Sequence, residues 1–185
     1  AHNPGDSITG ITLGPGVHAV NYNFGELPPS SLSGYVYADP NDNGIRETGE
    51  QGIAGVVMEL LDANGNVVAT TTTNADGYYK FENLAPGTYS VRQAAQPSGW
   101  YDGKDTAGSA GGTAHNPGDS ITGITLGPGV HAVNYNFGEL PPSSLSGYVY
   151  ADMNDNGVRE TGEQGIAGAV MELLDTNGNV VATTE

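Results

Sequence analysis

The 185-residue sequence contains no cysteine and very little positive charge. The absence of cysteine excludes disulfides, thiolate metal sites and cysteine nucleophiles. Five lysines and arginines stand against 21 aspartates and glutamates, which gives a formal net charge of −16. Nucleic acids and anionic membranes attract basic surfaces, so this charge argues against both as partners. Cations are the partners that the charge favours.

Long apolar runs are also missing. No run approaches the roughly 18 residues of a membrane-spanning helix, so no membrane insertion of this segment is expected. The 29 glycines and 11 prolines, with no stretch of helical periodicity, indicate many short strands joined by tight turns.

An internal repeat organises the chain. Residues 1–72 align without gaps on residues 114–185 and are identical at 67 of 72 positions, so the period is 113 residues. Pro-Pro-Ser-Ser recurs at the equivalent place in each copy, and consecutive prolines make a stiff, extended linker. We therefore predict the C-terminal part of a preceding repeat at 1–27, a complete repeat at 28–140 with its linker at Pro28–Ser31, and the N-terminal part of the following repeat at 141–185. Neighbouring repeats of the same or adjacent chains are the expected partners.

Within the complete repeat, apolar residues alternate with period two, which is typical of half-buried strands. Asn64-Gly65 predicts a hairpin with a type I′ turn, which needs positive φ at both residues. Asp76-Gly77 and Pro86-Gly87 mark further turns. Seven strands in about 110 residues is the number expected of a β-sandwich. The sequence therefore predicts an all-β, seven-stranded sandwich.

Twelve residues between the first two predicted strands match the calcium-loop pattern D-x-[DN]-x-[DN]-G-x5-E, and the match occurs again 113 residues later. In such a loop the oxygens of positions 1, 3, 5, 7 and 12 converge on one ion. An oxygen-only set with no cysteine or nearby histidine favours Ca²⁺. The predicted metal residues are Asp39, Asn41, Asp42, Asn43, Ile45, Glu47 and Glu50 in the first loop, and Asp152, Asn154, Asp155, Asn156, Val158, Glu160 and Glu163 in the second.

Each of these acidic segments has a simpler interpretation. The twelve-residue loops are alternatively soluble Asn/Asp/Gly turns without an ion. Asp76, Asp102 and Asp105 are candidates for a second metal site, and ordinary turn formation is the alternative for them. Asp6 and Asp119, in the repeated sequence NPGDS, are expected to cap or turn the chain.

A resemblance to the calcium-binding B-type repeat of serine-aspartate-repeat surface adhesins is carried by SLSGYVYADPNDNGIRETGEQGIAG, NADGYYKFENLAPGTYSVRQ and VNYNFGEL. It covers the whole chain and extends to the related collagen-adhesin B-type domains. The resemblance implies a transthyretin-like Greek-key sandwich with several bound Ca²⁺ ions, repeated in series in an extracellular cell-surface protein. In such families the repeats mostly act as stalks.

One departure from the collagen-adhesin pattern concerns covalent stabilisation. Those domains often carry an isopeptide bond from a first-strand lysine to a last-strand asparagine, assisted by a buried glutamate. The lysines here are Lys80 and Lys104, neither in the first strand, and Gln93 stands where the acid is expected. We therefore predict no isopeptide bond, and calcium remains as the stabilising element.

No catalytic pattern accompanies these features. The four histidines are one pair seen twice, without triad spacing, so no enzymatic activity is expected. The sequence favours a structural function, as a calcium-stabilised spacer that gives a rigid stalk in a long extracellular surface protein or fibre. The alternative is a glycan- or protein-binding adhesin module that uses an acidic face or exposed aromatic residues, namely Tyr35, Tyr37, Tyr78, Trp100 and Tyr101.

Overall fold

The structure, a computed structural model, describes residues 7–185, so Asp6 lies outside the described residues. The described chain forms strands and turns without a helix, which confirms the all-β prediction. None of it therefore forms a helix long and apolar enough to cross a membrane. The chain divides into two compact units, of which the first ends at Pro142 and the second is Ser143–Glu185.

The described part of the first unit, residues 7–142, contains ten strands in two sheets of five. One sheet has the order β4-β1-β10-β6 with β9 beside β1, and the other has the order β3-β2-β5-β8-β7. β1 runs parallel to β9 and β10, whereas the other pairs in this unit are antiparallel. The strands are β1 (Ser30–Ala38), β2 (Val57–Leu61), β3 (Val67–Thr72), β4 (Tyr78–Leu84), β5 (Gly87–Gln93), β6 (Tyr101–Thr106), β7 (Thr113–His115), β8 (Ser120–Leu126), β9 (His131–Ala132) and β10 (Asn136–Leu140).

This set differs from the seven predicted strands. β6 and β7 were not predicted, because β6 is mostly polar and shows no apolar alternation. Pairing with β10 makes β6 a strand despite its composition. The segment from Val130 to Phe137, which the sequence predicts as one strand, is divided between β9 and β10, because Asn134 adopts a positive φ of 64° between them.

The hairpin between β2 and β3 forms at Asn64-Gly65, but its turn is not type I′. Gly65 has a positive φ of 83°, whereas Asn64 is not among the residues with positive φ. The backbone N–H of Asp62 donates to the carbonyl of Asn66, and Gly65 donates back to Asp62. The Asp62 carboxylate also accepts from Asn64 and Asn66, which favours this three-residue loop over the two-residue turn.

A single hydrophobic core contains residues of both sheets. Its fully buried members include Leu32, Val36, Met58, Leu60, Val91, Ile121, Ile124, Tyr135 and Phe137. Each fully buried aliphatic or aromatic side chain contributes roughly 1.5–3 kcal/mol. β1 approaches the segment before β10 so closely that a Cβ on Gly34 would lie 1.7 Å from the carbonyl oxygen of Tyr135. Only glycine fits at that position of β1.

The predicted partial repeats differ in how much structure they form. The second unit contains a hairpin of β11 (Met171–Leu174) and β12 (Val180–Thr184), which corresponds in sequence to β2 and β3. Residues 7–29 form no strand, although residues 7–27 have the same sequence as 120–140. Ile8 and Phe24 are exposed there, whereas the equivalent Ile121 and Phe137 are fully buried.

Candidate metal centre

The first predicted calcium loop, residues 39–50, leads from β1 towards β2 and is attached to β10. Its first residue, Asp39, is fully buried and follows the end of β1. The backbone N–H of Asp39 donates to the carbonyl oxygen of Glu139 at 2.8 Å. A Cβ on Gly138 would lie 3.3 Å from the Asp39 carboxylate, so the absence of a side chain there leaves space for it. The sandwich thus fixes the first position of the loop.

The Asp39 carboxylate organises the backbone of the loop. It accepts hydrogen bonds from the backbone N–H groups of Asn43, at 3.3 Å, and Gly44, at 2.7 Å. The Asn41 side-chain oxygen also accepts from Asn43 N–H, at 3.1 Å, and the Asn43 side-chain oxygen accepts from Ile45 N–H, at 2.7 Å. Gly44 has a φ of 73°, which suits glycine and permits the sharp turn. Positions 1, 3 and 5 therefore share one hydrogen-bonded turn.

The two glutamates of the loop have different partners. The Glu47 carboxylate accepts from the side-chain amides of Asn41 and Asn43 at 3.0 and 3.2 Å. Glu50, the predicted closing ligand, accepts from the backbone N–H of Glu47 at 2.8 Å. Glu47 therefore lies beside the amides of positions 3 and 5, and Glu50 lies beside the backbone of Glu47.

Two side chains of β6 hold the loop from outside. The Lys104 ammonium donates to the carbonyl oxygen of Asp42 at 2.6 Å and lies 3.7 Å from its carboxylate. The Thr106 hydroxyl donates to the carbonyl oxygen of Gly44 at 2.5 Å. The other carboxylate oxygen of Asp42, Oδ1, is buried without a hydrogen-bond partner. The loop is therefore attached to both β10 and β6.

The second loop, residues 152–163, has the same internal geometry. The Asp152 carboxylate accepts from the backbone of Asn156, at 3.2 Å, and Gly157, at 2.7 Å, and the Gly157 N–H lowers the pKa of this carboxyl. Glu160 accepts from the Asn154 and Asn156 amides, and Glu163 accepts from the backbone of Glu160. The remaining predicted ligand of this loop, the carbonyl of Val158, and the accessory carboxylate of Asp155 lie on exposed residues. Since this unit contains only one hairpin, the loop conformation is locally encoded.

The donor chemistry of the loops fits a hard cation such as Ca²⁺, because every candidate ligand is an oxygen. Within residues 7–185, no three acidic or histidine side chains come close enough together to hold a metal ion. The first loop combines carboxylates with the amide oxygens of Asn41 and Asn43 and backbone carbonyls, a mixture typical of calcium loops.

The three candidates for a second site lie on two different elements of the first unit. Asp76 is exposed, and its backbone N–H donates to the Asn74 side chain in the turn before β4. Asp102 and Asp105 lie together on β6, opposite Glu139 and Phe137 of β10. Residues three apart in a regular strand face opposite sides, but a bulge in β6 between these two pairs turns both aspartates inward.

Two further acids, which the sequence interpretation did not assign to a site, join Asp102 and Asp105. The side-chain amide of Gln93 donates to Glu139 at 2.6 Å and to Asp119 at 3.0 Å. Asp119 was expected only to cap or turn the chain, and Glu139 was not considered. A charged residue in the otherwise buried β10 is the sequence signal that identifies Glu139. We refer to Asp102, Asp105, Asp119 and Glu139 as the interior acid cluster.

Burial and mutual repulsion shift the titration of the interior acid cluster. Burial, followed by the charges of Asp102, Asp119 and Glu139, raises the pKa of Asp105 to about 9, against weak opposition from the backbone N–H of Gly138. Burial raises the pKa of Glu139 to about 7, although hydrogen bonds from Gln93 and Gln96 oppose it. Burial and Asp102 also raise the pKa of Asp119.

Tyr37 connects the interior acid cluster with the first loop. Burial raises the pKa of the Tyr37 hydroxyl, and the carboxylates of Asp39, Glu50 and Asp105 raise it further. This hydroxyl is buried and has no hydrogen-bond partner among the described residues. Carboxylates of the loop and of the interior acid cluster therefore both raise the pKa of one buried hydroxyl.

A family model for the SdrD B-like domain matches residues 30–138 and again residues 143–185. The chain belongs to the SdrD B-like domain family. Serine-aspartate repeat-containing protein F of Staphylococcus epidermidis is 36% identical over 173 residues, which is 94% of the chain and 9% of that protein. Protein D of Staphylococcus aureus strain Newman is 37% identical over 170 residues, which is 92% of the chain and 12% of that protein. The predicted resemblance is confirmed, and the chain spans about a tenth of these relatives.

Among solved structures, the minor pilin GBS52 of Streptococcus agalactiae is 15% identical with a TM-score of 0.41, covering 65% of this B-like chain and 49% of the pilin. The shaft pilin SpaA of Lactobacillus rhamnosus GG is 11% identical with a TM-score of 0.38, covering 64% and 51%. With its family established, the B-like domain is a structural repeat domain of an extracellular, cell-surface protein.

Proposed function

We propose that the B-like domain is a calcium-stabilised spacer in the stalk of a surface protein. The observation that carries the proposal is the attachment of the first loop. Asp39 is bonded to β10 and follows β1, while Asp42 and Gly44 are bonded to side chains of β6. These three strands are neighbours in one sheet. An ion held by this loop stabilises the edge of that sheet.

The charge of the loop supports a cation as its ligand. Asp39, Asp42, Glu47 and Glu50 provide four negative charges. Arg46, the positive residue of the loop, lies over the Tyr35 ring at 4.0 Å from its centroid. Repulsion between the carboxylates is therefore only partly compensated within the loop, and a divalent cation removes it.

The aromatic residues support a structural role over the glycan-binding alternative. Tyr37 is fully buried, and Arg46 covers Tyr35. Tyr35 packs on Tyr78 at 5.2 Å between ring centroids. Tyr101 is 65% exposed. Of the five aromatic residues, only Tyr101 and Trp100 make none of these contacts. Most of these rings are thus used in packing.

Thermal unfolding with Ca²⁺ and with chelator tests the proposal. A ligand that binds only the folded state, at 100 times its Kd, adds about 2.7 kcal/mol of stability. We expect the melting temperature of the first unit to rise with Ca²⁺ and fall with chelator. Glu50→Ala should remove much of this response. The matched substitution Glu163→Ala, in the second loop, should preserve it. Superimposable curves with Ca²⁺ and with chelator would contradict the proposal.

Scattering measurements test the stalk itself. The linker between the two units contains consecutive prolines, which restrict independent motion. A protein of three complete repeats should scatter as a rod when Ca²⁺ is present. A broad distribution of shapes that does not change with Ca²⁺ would argue against a rigid stalk. It would show instead that the repeats are joined flexibly.

A further inference from the structure

We infer that the outer edge of β3 is a contact surface for a second copy of this chain, whose own β3 pairs with it in antiparallel orientation. The pairing is argued from the strands of the first unit alone. Its consequence, the lateral association of neighbouring stalks on a cell surface, rests on the proposed function.

β3 is an end strand of its sheet, and among the described residues it pairs with β2 only. The Thr73 N–H donates to the carbonyl of Val56 at 3.0 Å, and the same register continues with Thr72 opposite Val57. Successive residues of an antiparallel strand direct their backbone groups alternately towards the partner and away from it. The N–H and C=O groups of Thr70 and Thr72 therefore point outward from the sheet edge.

The other three end strands of the two sheets are protected, within the described part of the first unit. β4 carries Lys80 and Glu82, which are exposed and pair with each other. In β6 the backbone N–H and carbonyl of Asp105 are bonded to the Asn116 side chain at 2.7 and 3.0 Å. β7 contains only three residues. Charges, covered backbone groups and short length are the features by which natural sheets avoid pairing edge to edge.

β3 has none of these protections. Its six residues include no charged residue, proline or glycine. Val67 and Val68 are 45% and 52% exposed, and Val57, which lies beside Thr72, is 45% exposed. A bulge at Val68 lies at the hairpin end, so the rest of the strand is regular. An exposed, uncharged edge of residues that favour strands is the kind that pairs with another strand.

Charge favours a second β3 as the partner. The chain has a net charge of −16, so two copies repel each other over most of their surfaces. β3 brings no charge to a contact, and the acid of β2, Glu59, is paired with Arg92 at 2.7 Å. Two β3 edges can therefore meet without burying an unpaired charge. The second unit has Glu185 at the position of Thr72, which makes its edge less suitable.

One register satisfies all of the outward backbone groups of β3. It places Thr70 of each copy opposite Thr72 of the other, as pairs that exchange backbone hydrogen bonds. The arrangement is two-fold symmetric, so the same surface is used on both copies. Thr71 then lies opposite its own counterpart in a pair without backbone bonds, where the Cα atoms are about 4.5 Å apart. The two sheets join edge to edge.

Disulfide trapping on the 185-residue chain tests this register, because the chain has no cysteine of its own. Thr71→Cys should form a covalent dimer in a glutathione buffer, since a Cα separation of about 4.5 Å lies within disulfide range. Ala114→Cys is the matched control, at a half-buried position in the middle of the end strand β7. It should form about tenfold less dimer, because no pairing holds two copies of β7 within disulfide range. Equal trapping of the two variants would overturn the inference.

Sedimentation equilibrium without cross-linking tests the chemistry of the contact. Thr70→Lys places a charge at the outward edge and should weaken dimerisation about tenfold. Thr88→Lys adds the same charge at an exposed position of β5, between two paired strands, and should leave dimerisation unchanged. Equal effects of the two lysines would overturn the inference.

The salt dependence gives a second check. Dimerisation of the parent should strengthen as the salt concentration rises, because salt screens the repulsion between two acidic chains. A parent that stays monomeric at every salt concentration, or a dimer that weakens with salt, would overturn the inference.

Calcium-dependent melting separates this inference from the proposed function. Thr70 is exposed and lies outside the calcium loops, so Thr70→Lys should keep the parental melting temperature and its response to Ca²⁺ and chelator. An absent dimer with a normal calcium response would overturn the edge contact and leave the spacer proposal intact. A trapped Thr71→Cys dimer without any calcium response would support the edge contact and contradict the calcium-stabilised spacer.

Discussion

The backbone N–H of Asp39 donates a 2.8 Å hydrogen bond to the carbonyl oxygen of Glu139. The first residue of the loop and a member of the interior acid cluster are therefore neighbours across β1 and β10. Adjacent side chains of β6 reach both regions, because Lys104 contacts the loop while Asp105 faces the interior. The same strands thus support both acidic regions of the repeat.

The two loops should differ in calcium affinity although their ligands are the same residue types. The first loop is preorganised by Lys104 and Thr106, whose repeat equivalents fall beyond residue 185. Each such hydrogen bond is worth about 0.5–1.5 kcal/mol, and 1.4 kcal/mol corresponds to a tenfold change in Kd. We expect the first loop to bind about tenfold more tightly. Calorimetry on Glu163→Ala, which keeps the first loop intact, and on Glu50→Ala, which keeps the second loop intact, measures the two loops separately.

Removal of one anchor provides the control for this affinity difference. Thr106→Val should weaken binding to the first loop and leave the second loop unchanged. Equal dissociation constants for the two loops, unaffected by Thr106→Val, would show that the β6 contacts make no contribution to calcium affinity.

Gly34→Ala should strongly destabilise the first unit. The added Cβ would lie 1.7 Å from the backbone oxygen of Tyr135, which cannot move without separating β1 from its neighbours. Overpacking of this kind costs about 3 kcal/mol. Gly147 occupies the equivalent position in the second copy and has no atom within 4 Å of a Cβ. Urea unfolding should therefore show a large loss for Gly34→Ala and almost none for Gly147→Ala, and similar losses for both would be inconsistent with this packing.

Tyr135→Phe should cost about 1–2 kcal/mol of unfolding free energy. The Tyr135 hydroxyl donates to the carbonyl of Gly111 at 2.9 Å and accepts from the backbone N–H of Ala110 at 3.1 Å. Its loss leaves backbone groups without their partner. Tyr22 is the same residue of the preceding copy and is 45% exposed, so Tyr22→Phe should have no measurable effect on chemical unfolding. Equal effects of the two substitutions would contradict the structure.

The metal-free protein should lose stability as the pH rises. The pKa of Asp105 is about 9 in the folded state and about 3.9 in an unfolded chain, so the folded state holds an extra proton between these values. The contribution of Asp105 to stability is therefore fully present below pH about 4 and is lost as the pH rises to about 9, by up to about 1.4 kcal/mol per pH unit. Glu139, with a pKa of about 7, acts in the same direction at lower pH.

Chelator-treated parent and Asp105→Asn, unfolded between pH 5 and 9, check this sign. The variant should show a flatter profile, because the remaining slope comes from Glu139 and Asp119. The groups that face Asp105 and influence its charge are Asp102, Asp119, Glu139, Tyr37 and Tyr79. Identical slopes for parent and variant would show that Asp105 is not the buried acid responsible.

Local structure was predictable where it depends on a few neighbouring residues. The calcium-loop pattern gave the turn around Asp39 and Gly44, and both copies form it with the same hydrogen bonds. Asn64-Gly65 gave the hairpin, although the Asp62 side chain selected a different turn. The interior acid cluster was not predictable in full, because a bulge in β6 and the amide of Gln93 bring together residues that are far apart in sequence.

Two identical segments separate the contributions of sequence and tertiary structure. Residues 7–27 and 120–140 have the same sequence, yet only the second forms strands and buries its apolar residues. The repeat, the acidic charge, the loop turns and the hairpins follow from the sequence itself, because short-range hydrogen bonds and backbone preferences determine them. Strand formation at 120–140 and burial of Glu139 follow only from tertiary structure, since a strand needs partner strands to satisfy its backbone and a core to cover its apolar face.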